Sequence, residues 1–307
     1  MQSLWMLFAS FMFAVMGVCV KLASEEFSTS ELVMYRGVVG VTVLATVIKL
    51  QGGSFRTTMP GAHLWRGVIG VISLWLWYYS IGQLPLATAM TLNYMSPIWI
   101  AVWLFAMGWW HAKGEVKWPL MVAVAMSFVG VTLLLRPAFH ANQLTPALIA
   151  LSSSMITAMA YMQVRKLGLA GEPENRVVFY FTVMNLVAGL AGVYLTAGAD
   201  GPVWHPIDNP RSAALLLGIG VCATSAQIAM TRAYRLGNTL VVANLQYTGI
   251  VFSSIWGVFV FGDVFSWHSW VGIAIILASG VAATFYNTRN TERGKAIATT
   301  DPIASEV

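Results

Sequence analysis

Polar and aromatic side chains that could hold a small organic molecule recur at helical spacing in two apolar stretches. Ala87, Thr91 and Tyr94 stand at i, i+4 and i+7 of the first stretch, and Asn244 and Tyr247 stand at i and i+3 of the second. Residues at these spacings share one face of a helix. Each tyrosine offers a ring for stacking and a hydroxyl for hydrogen bonding. The pattern indicates a binding cavity, and its structural alternative is hydrogen bonding between helices.

A second aromatic group lies in the apolar stretch before the first of these. Trp75 and Tyr79 are i, i+4 neighbours, and Tyr78 stands beside them. Such rings can bind aromatic or cationic substrates, although Trp and Tyr are also enriched where a protein meets the membrane interface. We expect these three rings to line the cavity. Further candidates are polar side chains inside apolar stretches: Asn93, Tyr161, Gln163 and Gln227.

Three charged residues lie near the ends of the first two apolar stretches. Lys21 closes the first stretch, Glu31 opens the second, and Arg36 stands about one turn further in. Arg36 could attract a carboxylate substrate or form a gate with Glu31, and both cations could instead extend towards lipid headgroups. We favour a structural or gating ion pair over direct substrate binding.

Groups that catalysis or metal binding would need are scarce in the apolar stretches. No Asp or Glu lies in the middle of one, since Glu31 and Asp263 stand at stretch ends, and Cys19 and Cys222 have no metal-ligand spacing. The sequence therefore predicts no metal, no cofactor and no membrane-embedded enzyme. It also disfavours proton coupling through a central acid and indicates a neutral cavity lined by aromatic and amide groups.

The elements that must position these residues are membrane-spanning helices. The chain has 307 residues, of which 58% are hydrophobic and 9% charged. Soluble domains carry about 25% charged residues, so an ordinary soluble enzyme is excluded. A spanning helix needs about 20 apolar residues. Ten stretches qualify, at about Leu4–Ala23, Leu32–Ile48, Leu64–Gly82, Ala87–Ala106, Pro119–Leu135, Ala147–Val164, Val177–Thr196, Ala213–Thr231, Leu240–Phe261 and Trp270–Tyr286.

The basic residues predict the orientation of the chain. With both termini in the cytoplasm, 13 of the 17 Lys and Arg residues, Arg66 among them, fall on the cytoplasmic side. That bias is typical of cytoplasmic loops. It accounts for the net charge of +5 without a nucleic-acid partner. Because no Lys or Arg precedes the first stretch, we interpret that stretch as a retained helix and not a signal peptide.

The ten stretches divide into two groups of five that share a weak sequence repeat. The segment 84–94 resembles 237–247, with Tyr94 matching Tyr247. An odd number of helices per group makes the second group enter the membrane from the opposite side. We therefore expect two inverted five-helix repeats, residues 1–143 and 144–287, and a cytoplasmic tail without a fold of its own at residues 288–307. Inverted repeats are common in alternating-access carriers, whose substrate lies near the middle of the membrane.

Several segments resemble the EamA-type transporters of the drug/metabolite transporter superfamily. They are residues 17–22 with Lys21, residues 30–32 with Arg36, residues 79–89, Ser96-Pro97, and Phe261-Gly262-Asp263 followed by Gly272 and Gly280. The resemblance implies ten helices in two inverted repeats around a central cavity, and transport of small organic molecules. One departure is that Phe179, Tyr180 and Phe181 occupy the region where the second half would repeat the Arg36 motif.

These observations predict an all-α membrane protein that acts as a secondary transporter. We expect it to move an amino acid, amine or nucleoside-like metabolite across the inner membrane by alternating access. The alternative within transport is a multidrug exporter for lipophilic cations, and a membrane-embedded enzyme or a scaffold fits the sequence less well. The expected partners are a small-molecule substrate and the lipid bilayer, with the chain acting as a monomer or homodimer.

Overall fold

The computed structural model describes residues 2–84, 91–110, 118–135, 144–196, 204–262 and 266–300. Every element of regular secondary structure within these ranges is a helix, and turns and loops connect the helices. In chain order the helices are α1 (Trp5–Ala23), α2 (Thr29–Leu50), α3 (Pro60–Gln83), α4 (Ser96–Trp110), α5 (Trp118–Leu135), α6 (Leu144–Leu169), α7 (Glu174–Leu195), α8 (Pro210–Leu236), α9 (Thr239–Gln246), α10 (Thr248–Trp256) and α11 (Trp267–Thr300). A short π-helical segment, Gly257–Phe261, extends α10. Each of the ten predicted spans overlaps helix in these ranges.

The chain is a multi-pass membrane protein. Within the described ranges, seven helical segments are long and apolar enough to cross a membrane, and Trp118–Leu134 is a shorter apolar helix. One of the seven is Thr239–Phe261, which combines α9, α10 and the π-helical segment. The remaining two predicted spans correspond to α3 and α4. The described helix α4 starts at Ser96, and residues 87–90 of the corresponding predicted span lie outside the described residues.

Local signals explain where several helices begin. At α2, the Ser28 hydroxyl accepts a hydrogen bond from the Glu31 amide, and the Glu31 carboxylate accepts one from the Ser28 amide. This reciprocal pair satisfies two amides that a helix start leaves free. Asn209 caps α8 by accepting from the Ser212 amide at 2.7 Å, and Asn238 caps α9 through the Leu240 amide at 3.1 Å.

The main helix packing joins residues 1–143 to residues 144–287. The most extensive contacts are those of α2 with α7, α1 with α8, α3 with α6, and α5 with α11. At the crossing of α2 and α7, a Cβ on Gly37 would lie 2.6 Å from the Leu186 amide nitrogen, and one on Gly189 would lie 2.5 Å from that of Met34. Glycine therefore lets these two backbones touch.

The C-terminal helix differs from the expected tail. The sequence predicts a segment without fold from residue 288, whereas α11 continues to Thr300. Good helix formers such as Glu, Arg, Lys and Ala dominate residues 292–298, so the helix continues beyond its apolar part.

Candidate functional site

A cavity of about 180 Å³ lies between helices from both parts of the chain. A volume of that size holds on the order of ten water molecules and therefore accommodates a small metabolite. Its polar and aromatic lining residues come from α1–α3, α6–α10 and the segment before α4: Ser10, Phe13, Arg36, Arg66, Ser73, Trp77, Asn93, Tyr94, Thr157, Tyr161, Phe181, Gln227, Gln246 and Ser253.

Two interrupted helical segments meet at this cavity. Residues 91–93 form a helical turn that stops at Tyr94 and Met95 before α4 begins, and Tyr247 separates α9 from α10. Asn93 and Tyr94 contribute to the wall at the first interruption, and Gln246 and Gly249 contribute at the second. Interrupted helices are typical of substrate sites in transporters, because their backbone groups can face a cavity without meeting lipid.

Two arginines line the cavity, and both approach the ring of Phe181 on α7. The guanidinium carbon of Arg66 lies 4.1 Å from the ring centre, and that of Arg36 lies 5.8 Å from it. Arg36 is 6% exposed and Arg66 is 3% exposed. The two arginines enter from opposite ends of the helix layer, since Arg36 lies in the second turn of α2 and Arg66 in the second turn of α3.

A single face of α3 provides most of one cavity wall. Arg66, Gly70, Ser73 and Trp77 stand at i, i+4, i+7 and i+11, and all four line the cavity. A side chain at Gly70 would collide with Nη1 of Arg66 and would lie 2.7 Å from the Phe181 ring. Glycine at this position therefore leaves the space that the guanidinium occupies.

Hydrogen-bonded side chains form another part of the cavity wall. The Gln246 amide nitrogen donates to the Tyr161 hydroxyl at 3.3 Å, and the Tyr234 hydroxyl donates to the Gln246 carbonyl at 3.4 Å. The rings of Tyr161 and Tyr234 stack with their centres 5.5 Å apart. These contacts hold Tyr161 and Gln246 in place beside Asn93 and Gln227.

The structure brings together five of the predicted site residues at the cavity. They are Arg36, Asn93, Tyr94, Tyr161 and Gln227. Sequence reasoning missed Arg66, Trp77, Phe181 and Gln246, and it assigned Arg66 to a cytoplasmic loop. For Arg66 and Trp77 the available signal is their place in a stripe on α3, in which Arg66, Gly70, Ser73 and Trp77 stand at i, i+4, i+7 and i+11.

Other predicted cavity residues lie outside its lining. Trp75 is 38% exposed and Tyr79 is 51% exposed on α3. Thr91 is buried. The Gln163 amide donates to the Ala62 carbonyl at 3.4 Å. The side chain of Tyr78 lies outside the described residues, as does Asp263.

Asn244 and Tyr247 are buried between helices. The Asn244 carbonyl accepts from the Ser127 hydroxyl at 2.6 Å, and its amide donates to the Ser279 backbone at 3.0 Å. These bonds tie α9 to α5 and α11, which is the structural alternative that the sequence left open. The Tyr247 ring centre lies 6.4 Å from that of Tyr94, and its buried hydroxyl has no hydrogen-bond partner in the described part of the chain.

The predicted gate residues Glu31 and Lys21 contact residues outside the predicted gate. Oε2 of Glu31 lies 2.8 Å from Nδ1 of His205, and Oε1 accepts from the His205 amide at 2.8 Å, so Glu31 pairs with His205. Nζ of Lys21 lies 3.9 Å from the centre of the Phe261 ring. The Glu31–His205 contact ties the start of α2 to the segment that leads into α8.

A second carboxylate–histidine contact lies at the opposite end. Nε2 of His63 lies 3.4 Å from Oε2 of Glu172, while Arg176 and Thr57 donate to Glu172 at 3.0 and 2.5 Å. Burial raises the pKa of Glu172, but the hydrogen bonds from Thr57 and Arg176 and the nearby positive charge outweigh it and lower the pKa overall. These contacts tie the segment before α3 to the start of α7.

The electrostatic character of the cavity differs from the sequence prediction. The residues that surround the cavity in the described part of the chain include two arginines and no Asp or Glu. The expectation of a neutral cavity is therefore wrong. Arg66 is the reason, because it lies at the cavity and not in a loop.

An all-helical membrane protein with interrupted helices at a central cavity has the architecture of a small-molecule carrier. Residues 1–136 match the model of the EamA-like transporter family. The chain is 30% identical to the pseudopaline exporter CntI of Pseudomonas aeruginosa over 89% of each chain. It is 27% identical to a riboflavin transporter of Vibrio cholerae, over 96% of this chain and 97% of that one.

The fold is also found in a solved crystal structure. That protein is 16% identical and superimposes with a TM-score of 0.78, over 94% of this chain and 98% of the other. The chain belongs to the EamA-like transporter family, whose matching relatives are named as transporters and not as enzymes.

Proposed function

We propose that the protein is a secondary transporter that moves a small organic metabolite across the inner membrane by alternating access. The observation that carries the proposal is the cavity at the two helix interruptions, which is lined from both parts of the chain. A site at such a position can be reached from either side when the two parts move against each other. The relatives named as a pseudopaline exporter and a riboflavin transporter support a small organic substrate.

The helix packing supports two inverted five-helix repeats, residues 1–143 and 144–287. If the spans are numbered one to ten, the main packing pairs are one with eight, six with three, two with seven, and five with ten. If each span is replaced by its counterpart in the other half, the pair one–eight becomes six–three, and the pairs two–seven and five–ten become themselves. The set of packing pairs is therefore the same for both halves. The interruptions at Tyr94 and Tyr247 fall in the fourth and ninth spans, which the same exchange relates.

The two carboxylate–histidine contacts support closure at each end. Glu31 begins the second span and His205 precedes the eighth, whereas Glu172 precedes the seventh and His63 lies at the start of the third. The contacts therefore join corresponding spans of the two parts at opposite ends. We name them the Glu31 latch and the Glu172 latch. During transport the latch at the open end separates while the other stays closed.

The orientation follows from the loops and the span count. An even number of spans places both termini on one side, and the excess of Lys and Arg in the loops on that side favours the cytoplasm. The Glu172 latch then lies at the cytoplasmic end and the Glu31 latch at the outer end. Lipophilic cations fit this cavity poorly, since two arginines line it and its described lining has no acidic residue.

Transport in proteoliposomes tests the proposal. Full-length protein is reconstituted, and uptake and counterflow of radiolabelled amino acids, nucleosides and vitamins are measured against protein-free liposomes. We expect saturable movement of at least one compound and acceleration by the same compound on the opposite side. An absence of movement for the whole panel, with protein that is monodisperse before reconstitution, would contradict the proposal.

A further inference from the structure

Arg66 is a buried cation with hydrogen-bond donors that lack a partner among the described residues. Its side chain is 3% exposed, and its buried Nε and Nη1 have no hydrogen-bond partner among the described residues. A guanidinium carries five N–H donors in a planar fork. Buried polar groups in proteins nearly always have partners, so an unsatisfied one at a cavity indicates a ligand.

Arg66 lines the cavity, so its unsatisfied donors lie at the cavity wall. The Phe181 ring lies 4.1 Å from the guanidinium carbon and covers one side of it. A phenyl ring accepts no conventional hydrogen bond, so the donors of Arg66 remain available at the cavity edge. Gly70 leaves the space in which the group lies, because a side chain there would meet both Arg66 and Phe181.

A second positive charge, that of Arg36, lies near the Phe181 ring. Arg36 lines the cavity from α2, and its guanidinium carbon is 5.8 Å from the Phe181 ring centre. Among the residues that line the cavity in the described part of the chain, Asp and Glu are absent. Two cations in a low-dielectric cavity repel each other, and an anion between them removes that cost.

We propose that Arg66, with Arg36, binds a carboxylate group of the transported metabolite. This inference rests on the proposed transport function and specifies its substrate class. Guanidinium and carboxylate match geometrically, because two parallel N–H donors face two oxygens. The rest of the substrate lies against the uncharged wall of Asn93, Tyr161 and Gln246, whose amides and hydroxyl form hydrogen bonds with neutral polar groups.

The test compares carboxylates with their amides as probes. The pairs are glutamate with glutamine, aspartate with asparagine, nicotinate with nicotinamide, and phenylalanine with phenylalaninamide. Thermal unfolding of the full-length protein in detergent is measured with each compound, since a ligand of the folded state raises the unfolding temperature. The pair with the largest difference is then used in radiolabelled proteoliposome uptake. We expect the carboxylate of at least one pair to stabilise and be transported more than its amide.

Three variants assign that preference to Arg66. Arg66→Gln should lower the affinity for the carboxylate by at least tenfold and abolish the preference over the amide. Arg66→Lys should fall between the two, because it keeps the charge and loses the fork. Arg232→Gln is the matched control, since Arg232 is exposed and lies over Trp5, 4.9 Å from the ring centre. It should behave as wild type.

The outcomes separate this inference from the proposed function. Transport of a neutral compound without any carboxylate preference would overturn the inference and leave the transporter assignment intact. A wild-type carboxylate preference in Arg66→Gln would also overturn it. If Arg66→Gln is not monodisperse, the comparison of Arg66→Lys with wild type decides, since Arg66→Lys should also show a reduced preference for the carboxylate. No stabilisation and no transport with any compound would contradict both proposals.

Discussion

Tyr94 and Tyr247 lie with their ring centres 6.4 Å apart, and each stands where its helix is interrupted. The two rings have different surroundings. Tyr94 lines the cavity, whereas Tyr247 is fully buried and its hydroxyl finds no hydrogen-bond partner among the residues that the structure describes. Positions that match in sequence therefore differ in chemical environment, and the same substitution should have different effects at each.

Replacing each tyrosine by phenylalanine tests that difference. Tyr94→Phe should weaken transport roughly fivefold, since one hydrogen bond to the substrate contributes about 1 kcal/mol. Tyr247→Phe should keep transport and equal or exceed the thermal stability of the wild type, because it removes an unsatisfied buried hydroxyl. Uptake rates and unfolding temperatures of both variants provide the measurement. Equal loss of transport in both would contradict the assignment.

The two tryptophans of α3 provide a second comparison. Trp77 lines the cavity, while Trp75 is 38% exposed on another face of the helix. Trp77→Ala should lower the apparent substrate affinity by about fivefold, since an aromatic contact contributes about 1 kcal/mol. Trp75→Ala should change it by less than about twofold. A larger loss of affinity in Trp75→Ala than in Trp77→Ala would contradict the lining seen in the structure and support the prediction from sequence that Trp75 lines the cavity.

The Glu172 latch predicts a pH dependence of stability. The pKa of Glu172 lies below its ordinary value of 4.5, since hydrogen bonds from Thr57 and Arg176 outweigh the effect of burial. A carboxylate with a lowered pKa stabilises the folded state above its ordinary pKa, and this contribution is lost as the pH falls through the lower folded value. Thermal unfolding between pH 7 and pH 3 should show that loss.

Glu172→Gln should reduce stability at neutral pH by about 2 kcal/mol, the usual contribution of hydrogen bonds to a charged group. The difference from wild type should shrink at pH 3. Glu174→Gln is the control, because Glu174 pairs with Arg235 in a more exposed position, and exposed pairs contribute about 0–1 kcal/mol. A wild-type–variant difference that is independent of pH would count against the role of the Glu172 charge.

The Glu31 latch predicts a change in access from the outer end. Cys19 on α1 and Cys222 on α8 are free and half-buried beside the apolar cluster that includes Met16, Leu32 and Ile219. Glu31→Gln removes the carboxylate charge that holds His205, so the outer end should open more often. Because each 1.4 kcal/mol changes such an opening equilibrium tenfold, we expect the maleimide labelling rate of the two thiols to rise severalfold.

Glu172→Gln provides the comparison for this labelling experiment, since its latch lies at the other end. It should leave the labelling rate of Cys19 and Cys222 near that of wild type. A variant with Cys19→Ser and Cys222→Ser measures background labelling. Equal rates in wild type and Glu31→Gln would show that the Glu31 latch does not limit access.

The sequence predicts the helices better than the direction in which their side chains point. Apolar stretches locate the spans, because a helix in lipid must satisfy its own backbone. The rotation of a helix depends on its neighbours, and this explains why Trp77 and not Trp75 lines the cavity. The topology rule places Arg66 with the loop charges, because it lies near the end of a predicted span. Only the packing of α3 against α7 shows that it is buried beside Phe181.

Interrupted helices also limit what a helical pattern can predict. The i, i+4, i+7 relation of Ala87, Thr91 and Tyr94 assumes one continuous helix. Ala87 lies outside the described residues, and the helical turn of residues 91–93 stops at Tyr94 and Met95. Asn244 shows a different limit. An amide inside a span can face a cavity or bond across helices, and the partners Ser127 and Ser279 decide the matter only once the fold brings them together.

The seam between α2 and α7 tolerates no added methyl group over about two helical turns. A Cβ on Gly37, Gly40 or Gly189 would lie 2.6, 2.7 or 2.5 Å from an atom of the facing helix. Because these close approaches follow one another along the seam, the helices cannot shift at one of them and stay in place at the others. Any movement of the two parts against each other must therefore be shared along the whole seam.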